Sequence, residues 1–236
     1  MGAGTTNAPA ALAPGLYVVG TPIGNLGDIS QRGLDTLQAV TAIFAEDTRQ
    51  TRKLLTRYNV STALISCHSF NEAQRTEKVL DRLARKEAVA LVTDAGMPGV
   101  SDPGARVVAA CHRAGHPVYA VPGPSAVTTA LALSGFGGGG FLFAGFLPPK
   151  SAARRRLLAA WLERAGDLPV VFYESTHRIL KFLADLEDIV PDRAVYVGRE
   201  LTKHFEESLV ATPRELLDHF ATRSIKGEWV IITAGH

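Results

Sequence analysis

The chain has 236 residues, of which 46% are hydrophobic and 20% charged, and its formal net charge is only +2. This is the composition of an ordinary soluble globular protein, and no run approaches the ~20 apolar residues that a bilayer span needs. A nucleic-acid partner would therefore have to be met by local basic patches. The two cysteines, Cys67 and Cys111, fit buried thiols in a reducing compartment, which predicts a cytoplasmic protein.

Residues 1–14 carry no targeting signal and are predicted to be a flexible tail. From Gly15, apolar strand-like runs alternate with amphipathic helical patterns. The strand runs are "GLYVVG", "VTAIFAED", "TALISC", "AVALVTD" and "PVYAVPG". Helices between strands imply right-handed crossovers, so residues 15–121 are predicted to form an α/β domain with a mainly parallel sheet.

The turn "VPGPSAV", residues 121–127, predicts a domain boundary because two prolines stiffen a short connection before a helix. Residues 122–236 predict a second α/β domain. Its strands are "GFLFAGFLP", "LPVVFYES", "RAVYVGREL", "FEESLVAT" and "GEWVIITAG". Strands that follow one another directly at 193–212 favour antiparallel pairing, so this sheet is predicted to be mixed.

Familiar catalytic signatures are absent. The loop "GTPIGNLGD" lacks the Gly-Lys-Ser/Thr of a P-loop, no G-x-G-x-x-G follows the first strand, and no H-E-x-x-H occurs. The seven histidines have no metal-ligand spacing. Kinase, NAD-dependent enzyme and zinc hydrolase are therefore disfavoured, and no metal is expected.

Instead, polar or glycine-rich loops follow four apolar strands of the first domain. They are "GTPIGNLGD", "EDTRQT", "DAGMPGVSDPG" and "PGPSA". The carboxyl ends of parallel strands share one sheet edge, which is where ligands bind in open α/β sheets. Any one loop can be a plain connection, but four together predict a single ligand cleft.

Basic residues form two clusters. The first lies at i, i+3, i+4 and i+8 of a predicted helix and consists of Arg49, Arg52, Lys53 and Arg57. The second opens the first long helix of the second domain and consists of Lys150, Arg154, Arg155 and Arg156. Cations at a helix start oppose its dipole, so an anionic partner such as RNA would explain the second cluster, although a solvated face would explain the first.

Several stretches, taken in order, resemble the bacterial 16S ribosomal RNA 2′-O-ribose methyltransferases of the tetrapyrrole methylase superfamily. They are "LYVVGTPIGNLGDIS", "AEDTRQTRKLL", "HSFNE", "ALVTDAGMPGVSDPG", "VPGPSAV", "FAGFLP", "FYESTHR", "GRELTKHFEE" and "KGEWVI". The resemblance implies a two-domain α/β fold, usually homodimeric, with S-adenosylmethionine held between the domains. It also implies methylation of a decoding-centre cytidine in the 16S rRNA of the 30S subunit.

Carried over by position, the resemblance assigns cofactor contacts to small residues and backbone groups of both domains. In the first half these are Pro22, Ile23, Ala95, Gly96, Met97, Val100, Ser101, Ser125 and Ala126. In the second half they are Phe172, Tyr173, Leu201 and Gly227. One departure is Thr176, where the family usually has proline, and this puts the local loop shape in question.

Asp47 and Asp94 are the catalytic candidates because each ends a buried strand at the expected cleft. Asp47 would act as general base or orient the ribose hydroxyl, but an N-cap role is equally compatible with its position. Asp94 can also merely brace its loop. If the strand geometry persists to the end of "AED", alternation predicts that Glu46 points to the opposite side from Asp47. Arg49 would hold a phosphate.

Two rival functions are compatible with the same residues. One is methylation of a small tetrapyrrole carboxylate, against which stand the two separated basic clusters. The other is a non-catalytic RNA-binding factor of ribosome assembly, against which stand the small-residue loops that suit a bound cofactor.

Overall fold

The computed structural model describes residues 12–235, so most of the tail predicted for residues 1–14 lies outside the described residues. The chain divides into two compact units, the first ending at Ser125 and the second beginning at Ala126. Within the described residues, no helix is long and apolar enough to cross a membrane. Cys67 and Cys111 are both buried free thiols, as predicted.

The first unit is a five-stranded parallel sheet with the strand order β3-β2-β4-β1-β5, which confirms the predicted parallel α/β architecture. Its elements are β1 (Gly15–Val19), α1 (Gln31–Ala39), β2 (Ala42–Ala45), α2 (Thr48–Arg57), β3 (Leu64–Ser66), α3 (Glu72–Ala84), β4 (Ala88–Val92), α4 (Ala105–Arg113) and β5 (Val118–Val121).

Both faces of this sheet are covered by helices. Alternate strand residues belong to two separate cores, as the two-residue period of a strand requires. Ile43 and Ala90 pack in one core with Leu54 of α2, while Phe44 and Leu91 pack in the other. Burial on both faces explains why these strands are continuous apolar runs rather than alternating ones.

The second unit is a five-stranded mixed sheet with the strand order β6-β7-β10-β8-β9. Its elements are α5 (Ala126–Ser134), β6 (Leu142–Phe146), α6 (Ser151–Ala165), β7 (Val170–Ser175), α7 (Ile179–Ile189), β8 (Val195–Arg199), β9 (Glu207–Ala211), α8 (Pro213–Phe220) and β10 (Glu228–Thr233). Among the described residues of this unit, only β6 and β7 pair in parallel and the other pairs are antiparallel, which confirms the predicted mixed sheet.

Candidate active site

The loops after β1 and β4 are joined at the carboxyl edge of the parallel sheet. Thr21 and Gly96 exchange both backbone hydrogen bonds, at 2.9 and 3.1 Å. The Thr21 hydroxyl also donates to the Thr93 carbonyl oxygen at 3.0 Å. These bonds bring the buried residues Pro22 and Ile23 next to the loop that begins at Asp94.

The loops after β1 and β5 approach so closely that only glycine fits at the contact. A Cβ built on Gly20 would lie 2.6 Å from the backbone of Gly123 and 2.6 Å from Met97 Sδ. Met97 and Gly123 are therefore held against the end of β1. The loops after β1, β4 and β5 form one cradle. The loop after β2, the fourth loop of the prediction, is joined to the loop after β4 by the hydrogen bond from the Asp47 N–H to Asp94.

One buried polar atom in this cradle points to a ligand. Thr93, at the end of β4, is 2% exposed, and its hydroxyl has no hydrogen-bond partner among residues 12–235. A buried hydroxyl without a partner is costly, and a bound polar molecule would remove that cost. Next to it, Gly96 has φ +87°, and a Cβ there would meet Ile23 Cγ2 and the Pro124 carbonyl oxygen at 3.6 Å. The cradle therefore suits a ligand read largely by backbone groups.

The rest of the loop after β4 is shaped by left-handed backbone. Gly99 and Gly104 have φ of +82° and +132°, and Ser101 has φ +65°. The Gly104 N–H donates to the Glu72 carboxylate of α3 at 2.9 Å. Val100 and Ser101 are exposed on the loop, so both are accessible to a ligand.

Asp47 is the N-cap of α2. Its carboxylate accepts from the Arg49 backbone N–H at 2.8 Å and forms an ion pair with the Arg49 guanidinium at 2.7 Å. The hydrogen bonds from the Arg49 side chain and backbone lower the pKa of Asp47 to about 2. At neutral pH, Asp47 is therefore a weak proton acceptor with its lone pairs already engaged.

Asp94 lies beside both residues that follow β2. Its carboxylate accepts from the Asp47 backbone N–H at 3.0 Å. The Glu46 carboxylate lies 3.5 Å from the Asp94 backbone nitrogen, so the expectation that Glu46 points away from this cluster is wrong. The chain leaves regular strand geometry after Ala45, and the two-residue alternation ends there.

The carboxyls of Glu46 and Asp94 have raised pKa values. Desolvation is the main cause for both groups. The negative charge of Asp94 adds to the shift of Glu46, and that of Asp47 adds to the shift of Asp94. Raised pKa values bring both carboxyls closer to the range in which they can exchange a proton with a substrate.

The cations of α2 form one exposed face. The four residues of this face are Arg49, Arg52, Lys53 and Arg57. The Arg49 side chain is 88% exposed despite its pairing with Asp47. Opposite this face, Leu54 and Leu55 are buried, so the helix is amphipathic as its spacing predicts. The exposed face lies on the helix that starts at the candidate carboxylates.

The cations of α6 do not share one face. Arg154 is 2% exposed, and its guanidinium is paired with the Asp185 carboxylate of α7 at 2.6 Å. The expectation that Arg154 contacts RNA is therefore wrong, because its side chain is used inside the unit. Arg155 is paired with Asp185 and Asp188, whereas Lys150 and Arg156 are exposed.

In the second unit, Gly227 is held by Thr176. The Thr176 hydroxyl donates to the Gly227 carbonyl oxygen at 2.7 Å and accepts from its N–H at 2.8 Å. Gly227 has φ +125°, and a Cβ there would collide with the Glu200 side chain. Thr176 therefore holds this loop through two hydrogen bonds that the side chain of proline has no group to make.

The other cofactor candidates of the second unit differ in accessibility. Phe172 is 0% exposed, packs on Phe182 and lies in β7, which pairs with β6 on one side and β10 on the other, so both its side chain and its backbone belong to the core. Tyr173 is partly exposed and packs against Phe143 and Phe146. Leu201 is 6% exposed.

Sequence reasoning missed the residues that join the loops. Thr21, Thr93 and Glu72 all act through contacts made far along the chain, and no local pattern marks them. A buried threonine directly after an apolar strand was the available signal for Thr93. Grouped metal ligands are absent from residues 12–235.

The first unit is thus a parallel sheet with a glycine-lined cradle at the carboxyl ends of β1, β4 and β5, and the second unit is a mixed sheet. Residues 15–217 match the family Tetrapyrrole (Corrin/Porphyrin) Methylases. The chain belongs to this family and is a methyltransferase of it, which implies S-adenosylmethionine as methyl donor.

Curated relatives match nearly the whole chain and confirm the resemblance drawn from the motifs. Proteins named Ribosomal RNA small subunit methyltransferase I from Borrelia garinii and Thermotoga maritima are 43% and 44% identical, over 93% of this chain and 98% of theirs. The protein of that name from Vibrio cholerae is 46% identical over 95% of this chain and 78% of its own.

Solved structures with low identity share the fold. Diphthine synthase superposes with a TM-score of 0.74 at 14% identity, covering 93% of this chain and 89% of that one. Cobalt precorrin-4 methyltransferase, a cobalamin biosynthetic enzyme, superposes with a TM-score of 0.65 at 19% identity, covering 93% and 94%.

Proposed function

We propose that this protein transfers a methyl group from S-adenosylmethionine to the ribose 2′-hydroxyl of a decoding-centre cytidine in 16S rRNA, acting as a homodimer on the small ribosomal subunit in the cytoplasm. The observation that carries the proposal is identity of 43–46% over at least 93% of the chain to relatives named for methylation of small-subunit rRNA. The exposed cationic face of α2 supports a polyanionic substrate.

The residues of the cradle fit the cofactor. The partnerless Thr93 hydroxyl suits a polar ligand, the exposed Val100 and Ser101 give access to the loop after β4, and Met97 and Ile23 supply apolar contact. We assign cofactor binding to these loops and to the backbone near Gly227. When bound, S-adenosylmethionine supplies an activated methyl group on a sulfonium.

Transfer to a ribose hydroxyl depends mainly on position. Holding two reactants in near-attack geometry can supply ~7–11 kcal/mol. A general base adds roughly 10²–10⁴-fold in rate. The chain's own contribution is therefore to bind the strand through α2, orient the 2′-hydroxyl and accept its proton.

Asp94 is the better candidate for the proton acceptor. Its pKa is raised, whereas Asp47 has a pKa of about 2 and is engaged by Arg49. We assign to Asp47 the role of holding the start of α2 and, through its backbone N–H, the Asp94 carboxylate.

The decisive experiment is transfer of radiolabelled methyl from S-adenosylmethionine to 30S subunits that lack the modification. Naked 16S RNA and a tetrapyrrole precursor are run in parallel, and heat-inactivated protein is the control. Label in subunit RNA at an alkali-resistant ribose linkage supports the proposal. Label in the base, or in the tetrapyrrole alone, contradicts it.

A further inference from the structure

Phe70 is the most exposed large hydrophobic side chain among the described residues. Its exposed fraction is 97%, compared with 67% for Phe205, the next in order. It lies in the segment 67–71 that links β3 to α3. A phenylalanine in full contact with water gains nothing for the fold, since burial is the source of its stabilising contribution.

The turn that carries Phe70 is held by hydrogen bonds on both sides of it. The Asn71 side-chain oxygen accepts from the His68 backbone N–H at 2.9 Å, and the Asn71 N–H donates to the His68 carbonyl oxygen at 3.0 Å. The His68 ring lies edge-on to the Phe70 ring, with centroids 6.1 Å apart. Phe70 is therefore presented to solvent by a turn of defined geometry.

This turn lies at the same sheet edge as the candidate carboxylates. Ser66 at the end of β3 pairs with Ala45 at the end of β2, and the Cys67 N–H donates to the Ala45 carbonyl oxygen at 2.7 Å. Glu46 follows Ala45 at this edge, and its pKa is raised mainly by desolvation. On the other side, Glu72 accepts the Gly104 N–H of the loop after β4.

The neighbouring charges favour one occupant for this aromatic surface. Arg49, the first exposed cation of α2, lies in the first turn of the helix that follows β2, and the turn with Phe70 follows β3, which is the neighbour of β2 in the sheet. A phosphate chain bound along α2 would therefore begin at the sheet edge that also carries Phe70. Proteins that read unpaired RNA stack its bases on exposed aromatic rings beside such cations.

We propose that Phe70 is a stacking platform for a nucleobase of the RNA strand that enters the active site. The inference rests on the proposed function, and it specifies how the RNA substrate is bound. A base stacked on Phe70 would fix the strand relative to Asp94 while leaving its ribose and phosphates to the polar residues around it.

The test compares Phe70→Ala, Phe70→Leu and Phe70→Tyr with the wild type. Stacking of a base on an aromatic ring is worth about a 5- to 150-fold change in affinity. We expect Ala and Leu to weaken binding of undermethylated 30S subunits by a factor in that range, and Tyr to retain it. Affinity for S-adenosylmethionine and thermal stability should be unchanged in all three, because Phe70 contacts no core residue.

Phe70→Trp gives a direct signal that does not depend on turnover. The chain already holds two tryptophans, Trp229, which is buried, and Trp161, which is partly exposed. The emission at position 70 is therefore taken as the difference between Phe70→Trp and the wild type in the same RNA titration. Quenching of that emission by a single-stranded RNA oligonucleotide is expected if a base stacks there. Absence of quenching at RNA concentrations that saturate binding overturns the inference.

The outcomes separate this inference from the proposed function. If the wild type labels ribosomal RNA and the Ala and Leu variants bind 30S subunits as tightly as the wild type, the stacking role is wrong and the function stands. If the wild type labels no RNA, the proposed function fails, while quenching of the Trp variant still decides whether position 70 meets a base. If Phe70→Ala instead shifts the sedimentation of the free protein, Phe70 belongs to an interface between copies and the inference is overturned.

Discussion

At the scale of single residues, the two aspartates at the sheet edge have pKa values that their surroundings shift in opposite directions. Hydrogen bonds from Arg49 lower the pKa of Asp47 to about 2, whereas desolvation raises that of Asp94. Asparagine caps a helix as well as aspartate does. We therefore expect Asp47→Asn to keep the melting temperature within about 2 °C of the wild type and to retain most of the methyl-transfer rate.

Asp94→Asn should behave differently, with a rate loss of roughly 10²–10⁴-fold at unchanged affinity for S-adenosylmethionine. Asp94 must be ionised to accept a proton, so kcat/KM of the wild type should fall as the pH drops through its raised pKa. Because Glu46 titrates beside Asp94, the fall of kcat/KM at low pH reports the coupled titration of both carboxyls rather than of one. If kcat/KM of Asp94→Asn falls at low pH in the same way as that of the wild type, Asp94 is excluded as the base.

Thr176 permits a second test at the residue scale. Thr176→Val removes both hydrogen bonds to Gly227 and leaves its partly buried N–H and carbonyl oxygen without these partners. We expect a loss of about 1–3 kcal/mol in the free energy of unfolding, measured by urea denaturation. If Gly227 borders the cofactor, the Kd for S-adenosylmethionine should rise as well.

Thr176→Ser is the matched control, because serine keeps the hydroxyl and should preserve both stability and cofactor affinity. A Thr176→Val protein with reduced stability but unaltered cofactor affinity would remove Gly227 from the binding site. It would leave the hydrogen-bonded loop as a purely structural feature.

At the scale of elements, α6 and α7 are joined by a buried ion pair between Arg154 and Asp185, with side chains only 3% and 7% exposed. Arg154→Ala would leave the Asp185 carboxylate buried without its principal partner. Breaking such a pair on one side costs about 3–5 kcal/mol. We expect urea denaturation of Arg154→Ala to show a loss of that order, with reduced yield of folded protein.

Two further variants define the cause of that loss. Arg156→Ala removes an exposed cation two positions along the same helix and should leave the free energy of unfolding unchanged. Arg154→Met combined with Asp185→Leu replaces the pair by apolar side chains and should recover much of the loss. Equal destabilisation by Arg154→Ala and Arg156→Ala would contradict a role for the buried pair.

The basic residues at the start of α6 also show which contacts cannot be predicted from the sequence. Four cations at a helix start look alike in sequence, and the residue that pairs with Arg154 lies 31 positions further along the chain. By contrast, the spacing of the α2 cations was enough to predict their shared exposed face, because that face depends only on helical periodicity. The helices and strands, and the parallel and mixed pairing of the two sheets, were predictable from local patterns in the same way.

At the scale of the whole molecule, the two α/β units and the convergence of loops at one sheet edge were predictable from the sequence, because strand direction and crossover handedness follow from connectivity. The bonds that close the cradle were not predictable. Thr21 with Gly96, and Gly20 with Gly123, are contacts over 75 and more residues, and they depend on how the folded strands align.

The affinity of the whole enzyme for RNA should fall as the salt concentration rises, with a slope set by the number of phosphates that the enzyme neutralises. The exposed cations of α2 other than Arg49 are Arg52, Lys53 and Arg57. Each contact to single-stranded RNA contributes about 0.7 to the slope of log K against log salt. Replacing these three by alanine should therefore reduce the slope by about 2, while cofactor affinity stays the same. Alanine favours the helix, so α2 should persist.

Lys181→Ala is the control, because it removes an exposed cation of α7 that belongs to neither basic cluster. Filter binding to undermethylated 30S subunits across a series of salt concentrations gives the slope for each protein. If the triple variant and the control have the wild-type slope, α2 is a solvated face, and the phosphate path of the substrate must run elsewhere. If only the triple variant loses slope, α2 guides the strand to the carboxylates beside its N-terminus.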